Sequence, residues 1–277
     1  MITDQETNFV YFSKTLKQEV YSAFLKKLTK ALKNNNIEHD FLSYTNSIWC
    51  RDYMPVQISQ NKFVKFKYDP TYSPITNAVD TCTDIGIEST VSDIKVDGGN
   101  VVKSRTKVIM TERVIIDNKR HYPDRERLIK KLKEALEVEQ IIIIPEDPHD
   151  PFGHADGMVR FRDGVRDEKE VFVNDYTKEP EFKRKLYAAL KKKGLVPIPM
   201  PYRPVGKGLD VRGMYINYLQ VGKVVFYPAY GSSSDKKVDA FFSKYFGANA
   251  VAVRADEIAR EGGILNCISW NIKLRQV

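Results

Sequence analysis

The sequence predicts an α/β fold in which helix–strand units recur along the chain. Amphipathic segments with helical spacing alternate with short apolar segments typical of strands, and a polar motif follows most of these strands. The polar motifs recur at steps of 45, 57, 63 and 50 residues, measured between Asp52, Asp97, His154, Asn217 and Cys267. Recurrence near fifty residues favours a propeller-like or radial array, while an ordinary α/β domain with coincidental spacing stays open at this point.

The first unit is a predicted helix followed by a strand and a polar motif. Residues 15–33 are predicted as an amphipathic helix because their apolar positions are spaced i, i+4. These positions are Leu16, Val20, Phe24, Leu28 and Leu32. The strand-like IEHDFLSY and the motif WCRDYMPVQI follow, and a further motif, VDGGNVV, comes without a clear helix before it.

Three later units repeat the same order. PDRERLIKKLKEALEV, with Pro123 near its start, precedes the strand IIIIP and the motif GHADGMVRF. In the next unit the helix is PEFKRKLYAALKKKG, ended by Gly194 as a C-cap glycine, and it precedes the strand LVPIPM and the motif MYINYLQVG. In the last unit the helix DKKVDAFFSKYFG precedes the strand AVAVRA and the motif GGILNCISWN. Because no low-complexity linker divides the chain, we expect one domain over residues 1–277, with the polar residues gathered at strand ends that face a central axis.

Composition narrows the classes of partner. The net charge is +8, but the lysines lie mostly on predicted helix faces without interleaved aromatic residues, so a nucleic-acid partner is not expected. No run approaches eighteen apolar residues, and the first residues lack a basic region followed by an apolar stretch, so neither a membrane span nor a secretory signal is expected. Cys50, Cys82 and Cys267 are far apart and form no CxxC, which favours a reducing cytoplasm.

Five polar residues in apolar context are candidates for a nucleophilic-cysteine site. His154 and Asp156 are two residues apart, which in a strand would place them on one face. With Cys267, Asp52 and Asp97 they supply a thiol, a histidine to exchange protons, a carboxylate to orient it and two further carboxylates. Carboxylates close to a cysteine disfavour its thiolate form. A cationic substrate would offset this cost, and a planar guanidinium can form bidentate hydrogen bonds with two carboxylates.

The ordered motifs WCRDYMP, DGGN, HADGMVRF, YINY, VVFYPAYG and GGILNCIS resemble the agmatine deiminase and bacterial-type peptidylarginine deiminase family. This family belongs to the guanidino-group-modifying, or pentein, superfamily, and the resemblance covers about residues 46–271. It implies a five-bladed α/β propeller with pseudo-fivefold symmetry. It also implies a cysteine-dependent hydrolase that converts a guanidinium substrate, such as agmatine or an arginine derivative, into its ureido product and ammonia. The covalent intermediate is a thiouronium, and neither a metal nor an organic cofactor is expected.

The resemblance also implies a role for each matching residue. Cys267 matches the nucleophile, His154 the general acid and base, and Asp97 the glutamate that pairs with the histidine in many members. The residues expected to bind substrate are Asp52, Asp156, Asn217 and Trp49, and Arg51 is expected to be structural.

Some positions depart from the family pattern. Asp97 is one methylene shorter than the usual glutamate, and Asn266 replaces the histidine that precedes the cysteine in agmatine deiminases. Ser269 stands where those enzymes have threonine. The motifs therefore support deiminase chemistry more strongly than they support agmatine as the substrate.

Three alternatives stay open on the sequence. An amidinotransferase would pass the same intermediate to an amine, and a non-catalytic pentein module would only bind a partner. A metal hydrolase would use His149, His154 and Asp156. The choice of guanidine and the oligomeric state, a homo-oligomer included, are also left open.

Overall fold

The fold is built from five small sheets that share one topology. The computed structural model describes residues 1–70, 78–164, 167–204 and 208–275. Within these ranges, fifteen strands form five sheets of three strands each. The strands are β1 (Phe9–Ser13), β2 (Glu38–Leu42), β3 (Val56–Ser59), β4 (Lys62–Lys67), β5 (Thr90–Lys95), β6 (Val102–Lys103), β7 (Lys107–Thr111), β8 (Gln140–Ile144), β9 (Val159–Phe161), β10 (Glu170–Asn174), β11 (Val196–Met200), β12 (Leu219–Val221), β13 (Val224–Ala229), β14 (Ala250–Arg254) and β15 (Ser269–Ile272).

Each sheet pairs one antiparallel and one parallel neighbour with its middle strand. The sheet orders are β15-β1-β2, β3-β4-β5, β6-β7-β8, β9-β10-β11 and β12-β13-β14. In every sheet the first strand is antiparallel to the second, and the second is parallel to the third. We call the first strands, β3, β6, β9, β12 and β15, the axial strands. The sheet containing β1 is completed by β15 from the far end of the sequence, which closes the five sheets into the predicted propeller-like arrangement.

Helices supply the crossovers that parallel pairing requires. The helices are α1 (Ser22–Asn34), α2 (Cys50–Tyr53), α3 (Ala78–Asp84), α4 (Arg113–Asn118), α5 (Arg125–Leu136), α6 (Pro180–Lys192), α7 (Asp235–Phe246) and α8 (Asp256–Ala259). Short 3-10 helices cover Asp4–Glu6, Lys14–Lys17, Glu19–Tyr21, Gly98–Asn100 and Gly247–Asn249. The crossovers contain α1, α3, α4 with α5, α6 and α7 in turn, so every sheet has a helical crossover, including the one for which the sequence showed no clear helix.

Helix α5 shows how the predicted periodicity builds the core. Asp124 caps the helix by accepting hydrogen bonds from two backbone amides of the first turn. Leu128, Leu132 and Leu136 are fully buried and pack with the neighbouring strands β7 and β8. Each buried leucine side chain contributes about 1.5–3 kcal/mol of hydrophobic stabilisation.

The first predicted helix begins later than expected. The helix α1 starts at Ser22, and residues 15–21 fall in two 3-10 turns separated by Gln18, whose backbone is extended. Val20 is 65% exposed, so its i, i+4 spacing does not reflect burial. The Ser13 side chain accepts a hydrogen bond from the Thr15 amide, which favours a separate short turn here.

The polar motifs precede the axial strands rather than lying within them, which corrects the prediction that His154 and Asp156 share a strand face. Strand β9 begins only at Val159, and the Val159 amide donates to the Ala155 carbonyl in a turn that contains Asp156. Cys267 likewise lies two residues before β15. Among the described residues, the helices are all too short or too polar to cross a membrane.

Candidate active site

The five polar motifs converge because all five axial strands start at the same end of the array. Asp52 precedes β3, Asp97 precedes β6, and the His154 segment precedes β9. Asn217 and Cys267 precede β12 and β15. The geometry below shows that these motifs are in direct contact, although up to 215 residues separate them in the chain.

The Cys267 thiol lies next to the side-chain amide of Asn217 and the carboxylate of Asp156. The Nδ2 atom of Asn217 donates to the Cys267 Sγ atom at 3.2 Å, and Sγ lies 3.8 Å from the Oδ2 atom of Asp156. The backbone amide of Cys267 donates to Asn217 Oδ1 at 3.3 Å. Burial, followed by the carboxylates of Asp156 and Asp52, raises the pKa of the Cys267 thiol well above its ordinary value. The thiol is therefore held in its protonated form in the free protein.

A glycine before the cysteine makes room for this arrangement. A Cβ atom at Gly263 would lie 2.5 Å from the ring of Trp49 and 3.0 Å from the Cβ atom of Cys267. No larger residue fits without displacing one of them. Trp49 therefore packs behind the cysteine turn, and it is not among the residues that line the cavity described below.

His154 lies between two carboxylates. Its Nε2 atom is 3.1 Å from Asp97 Oδ2, and its Nδ1 atom is 3.7 Å from Asp52 Oδ1. Burial by itself disfavours the imidazolium, but Asp52 and Asp97 outweigh it and raise the pKa of His154 to about 10. The shorter Asp97 thus still reaches the histidine, and His154 is protonated at neutral pH.

Gly99 brings Asp52 and His154 together. The Gly99 amide donates to Asp52 Oδ1 at 2.9 Å, and the Gly99 carbonyl accepts from the Asp156 amide at 3.0 Å. A Cβ atom at this position would lie 2.6 Å from His154 Nδ1 and 2.7 Å from Asp52 Oδ1. Only a glycine fits at the second glycine of VDGGN, because Asp52 and His154 approach this position too closely for a Cβ atom.

Burial raises the pKa of Asp52 to about 7, with the neighbouring carboxylates adding to the shift and His154 opposing it.

Two residues of the site were not assigned a role from the sequence. Asp150 accepts the backbone amide of His154 at 2.9 Å and so fixes the histidine segment. The Nδ2 atom of Asn266 donates to Asp156 Oδ2 at 2.6 Å. The only sequence signal was the position of Asp150 four residues before the histidine and of Asn266 next to the cysteine.

The site opens into a cavity of about 370 Å³. His154, Asp156, Asn217 and Cys267 line its inner end. The remaining lining residues are Asp147, His149, Asp150, Pro151, Phe152, Gly157, Glu179, Tyr202, Pro204, Gly208, Leu209, Asp210, Val211, Met214, Gly262 and Gly263. The described part of the chain contains no group of three or more Cys, His, Asp or Glu side chains arranged to hold a metal ion, and His149 is 68% exposed near Glu179.

Five sheets closed into a ring, with a cysteine, a histidine and several carboxylates at the starts of the axial strands, form the pentein fold. The family model of the Porphyromonas-type peptidyl-arginine deiminase matches residues 2–272, and the chain belongs to that family.

Solved structures with the same fold cover nearly the whole chain. The agmatine deiminase of C. jejuni with substrate bound is 19% identical, with a TM-score of 0.76 over 99% of this chain and 96% of that one. The agmatine deiminase of Enterococcus faecalis is 20% identical, with a TM-score of 0.75 over 99% and 95%. The DDAH of Pseudomonas aeruginosa, complexed with citrulline, is 11% identical, with a TM-score of 0.56 over 96% and 99%. These likenesses establish the fold, and a search of curated protein sequences finds no match.

Proposed function

We propose that the protein is a cysteine-dependent deiminase that hydrolyses a guanidinium substrate, such as agmatine or an arginine derivative, to its ureido product and ammonia. One observation carries the proposal: the Cys267 thiol lies 3.8 Å from the Asp156 carboxylate and opens into the same cavity as His154. Membership of a deiminase family supports it.

The balance of charge indicates a cationic substrate. Asp52 and Asp97 lie against the imidazolium of His154, and Asp156 adds a third carboxylate beside the Cys267 thiol. Uncompensated negative charge in a buried site is costly, and it raises the pKa of the Cys267 thiol. A guanidinium that enters the cavity supplies the missing positive charge, so the thiol ionises when the substrate is bound.

Asp156, which lines the cavity, and Asp52, which lies next to His154 and is not among the lining residues, are the two carboxylates proposed to hold that guanidinium. The hydrogen bonds among the described residues engage Oδ1 of Asp52 and Oδ2 of Asp156, which leaves one oxygen on each carboxylate for the substrate. Two carboxylates around one planar cation fix its carbon near the sulfur and make that carbon electrophilic. Asn217 keeps the sulfur in place through its side-chain amide.

His154 then moves the protons. The Cys267 thiolate attacks the guanidinium carbon, and the protonated His154, consistent with its raised pKa, gives its proton to the departing nitrogen, which leaves as ammonia. The neutral imidazole next takes a proton from water as the water attacks the thiouronium carbon. As the tetrahedral intermediate collapses, its hydroxyl proton passes to the departing sulfur, which restores the Cys267 thiol and releases the ureido product, and His154 is again protonated. Asp97 orients the imidazole throughout.

The far part of the cavity favours a substrate without a carboxylate. Among the described lining residues there is no lysine or arginine, while Asp147, Asp150 and Glu179 contribute acidic groups and Asp210 is paired with Arg212. The α-carboxylate of free arginine would be left without a cationic partner there. This supports agmatine, whose far end is an amine, over free arginine.

The test is an assay for ureido product with agmatine, arginine, methylated arginines and arginine peptides, with free amine acceptors in parallel. We expect ureido product and ammonia, fastest from agmatine. Transfer of the amidino group to an amine without ureido product would instead identify an amidinotransferase. A haloacetamidine, which mimics the substrate cation, should label Cys267 faster than a neutral haloacetamide does. Labelling mainly at Cys50 or Cys82 would contradict the assignment of the nucleophile.

All three cysteines are free, which suits the predicted reducing cytoplasm.

A further inference from the structure

We propose that Asn266 is a positioning residue that holds the Asp156 carboxylate and thereby sets the reactivity of Cys267. This inference rests on the proposed deiminase function. It concerns the position at which the chain carries an amide, where the agmatine deiminases that it resembles carry a histidine.

Asn266 is held in place from several directions. Its backbone amide donates to Asn217 Oδ1 at 3.1 Å, and its backbone carbonyl accepts from the Nε atom of Arg51 at 3.3 Å. The same carbonyl accepts from the Ser269 hydroxyl at 3.0 Å. Asn266 is buried, and its backbone is held by two other polar motifs and by its own. A residue fixed in this way can orient its neighbour.

The Asn266 side chain acts on the one carboxylate oxygen nearest the sulfur. Its Nδ2 atom donates to Asp156 Oδ2 at 2.6 Å, and the same oxygen lies 3.8 Å from Cys267 Sγ. A charge-assisted hydrogen bond of this length withdraws negative charge from Oδ2. It therefore reduces the repulsion that a Cys267 thiolate experiences. It also turns Oδ1, which no hydrogen bond among the described residues engages, toward the position proposed for the guanidinium.

An amide suits this role because it does not titrate. The charged or titratable groups that face the pair of Asn266 and Asp156 are Asp52, Cys267, Arg51 and Arg160. A histidine among these groups would gain and lose a proton with pH, whereas an asparagine donates through Nδ2 at every pH. The donor of the hydrogen bond to Asp156 is therefore the same at every pH in this protein.

The first test measures the rate at which a neutral haloacetamide alkylates Cys267 as a function of pH. Asn266→Asp removes the donor and places a second carboxylate against Asp156, so we expect the apparent pKa of the thiol to rise and alkylation below that pKa to slow. Asn266→Ala should shift the profile in the same direction by less. Asn266→His, which restores an N–H donor, should return the rate toward that of the wild type. An alkylation profile unchanged in Asn266→Ala and Asn266→Asp would overturn the inference.

The second test measures steady-state kinetics on the guanidine that the wild type hydrolyses. We expect Asn266→Ala to lose roughly 10- to 100-fold in kcat/KM, mainly through kcat, since a hydrogen bond to a charged group is removed. Asn266→His should recover activity and acquire an additional ionisation in its pH profile. Asn249→Ala, at an exposed asparagine, serves as the matched control and should match the wild type in both tests.

The two tests separate failure of this inference from failure of the proposed function. If the wild type forms no ureido product from any guanidine, the deiminase proposal is wrong, while the alkylation profiles still support or overturn the role of Asn266. If the wild type is active and Asn266→Ala retains full kcat/KM, the positioning role is wrong and the deiminase proposal stands. Circular dichroism and a melting curve for each variant establish that it is folded.

Discussion

Two buried clusters of charged groups lie along the axial strands, and they differ in how their charges are balanced. The site cluster consists of Asp52, Asp97, His154, Asp156 and Cys267. The axial ion cluster consists of Asp4, Lys103, Arg160, Asp163 and Asn271. Arg51 contacts both, because its backbone amide donates to the Cys267 carbonyl at 3.1 Å and its Nη2 atom donates to Asn271 Oδ1 at 2.6 Å.

The axial ion cluster is balanced by groups of the protein itself. Asp4 accepts from Arg160 Nη2 at 2.5 Å and from Asn271 Nδ2 at 3.0 Å, and it lies 3.4 Å from Lys103 Nζ. Although burial opposes ionisation of Asp4, Lys103 and Arg160 hold its pKa well below the ordinary value. Burial and the proximity of Asp4 raise the pKa of Asp163 to about 7. Two cations and two acids thus nearly neutralise one another.

The site cluster is not balanced in this way. Within it, Asp52 and Asp97 lie against the imidazolium of His154, Asp156 adds a third carboxylate beside the Cys267 thiol, and the pKa of Asp52 rises to about 7 where that of Asp4 falls. Both carboxyl groups are buried, so the difference comes from the partners rather than from exposure. The comparison supports a role in stabilising the fold for the axial ion cluster, and it supports the proposed binding of a cationic ligand for the site cluster.

The largest effect is expected from the nucleophile. Cys267→Ala should lower product formation by several orders of magnitude, as the loss of a covalent nucleophile does. It should leave the melting temperature close to that of the wild type, because the partly exposed thiol contributes little packing. Cys82→Ala, at a buried free cysteine, is the control and should keep its activity at some cost in stability. Normal turnover by Cys267→Ala would exclude the proposed chemistry.

The next largest effect distinguishes the two clusters by stability. Arg160→Met should lower the free energy of unfolding by about 3–5 kcal/mol, because it breaks a buried ion pair by removing one of the two cations that contact Asp4. Asp52→Asn should leave that free energy unchanged or raise it, because it removes one of the excess negative charges while Oδ1 still accepts from the Gly99 amide. Urea denaturation at pH 7 measures both. Equal losses in the two variants would mean that the clusters do not differ in charge balance.

A smaller effect is expected from adding the missing cation. Agmatine added to Cys267→Ala, which cannot turn it over, should raise the free energy of unfolding by about 2.7 kcal/mol at a concentration 100 times its dissociation constant. Adding Asp156→Asn to this variant should weaken binding, and thermal melting with increasing agmatine measures the difference. Sodium chloride at the same ionic strength is the control, and equal stabilisation by the salt would contradict a cation site.

A further effect is the dependence of stability on pH. The pKa of His154 is raised from 6.5 in the unfolded chain to about 10 in the folded protein. Between these values the folded protein keeps a proton that the unfolded chain has released, so this contribution to stability is complete below pH 6.5 and is lost as the pH rises toward 10. Urea midpoints of the wild type and of His154→Gln, measured from pH 6 to pH 10, should converge. Parallel curves would show that His154 is not held protonated.

Much of the local structure was predictable because it follows from short-range spacing. The leucines at 128, 132 and 136 and the nearby Pro123 lie within one segment and predict α5 without any knowledge of its neighbours. The failures were also local. In residues 15–21 the spacing was helical, but the extended backbone of Gln18 interrupts it, and the short helix α3 carried too few residues to show a period.

The candidate site was predictable only in part. The types and order of its residues identified Cys267, His154 and the aspartates, and the structure brings them together. The sequence could not show that Asn266 donates to Asp156, since these residues lie 110 positions apart and neither has a periodic neighbour. The contact exists only because two axial strands start side by side.

By itself, the sequence determined the alternation of helices and strands, the recurrence of the polar motifs and the set of groups available for chemistry, since each depends on neighbouring residues. Only the tertiary structure decided how those groups share their charge. The carboxyl groups of Asp4 and Asp52 are chemically identical, and both are buried in the same protein. Lys103 and Arg160 hold the pKa of Asp4 well below its ordinary value, whereas the pKa of Asp52, beside two more aspartates, rises to about 7. The pKa of a buried group is set by the charges that folding places within a few ångströms of it.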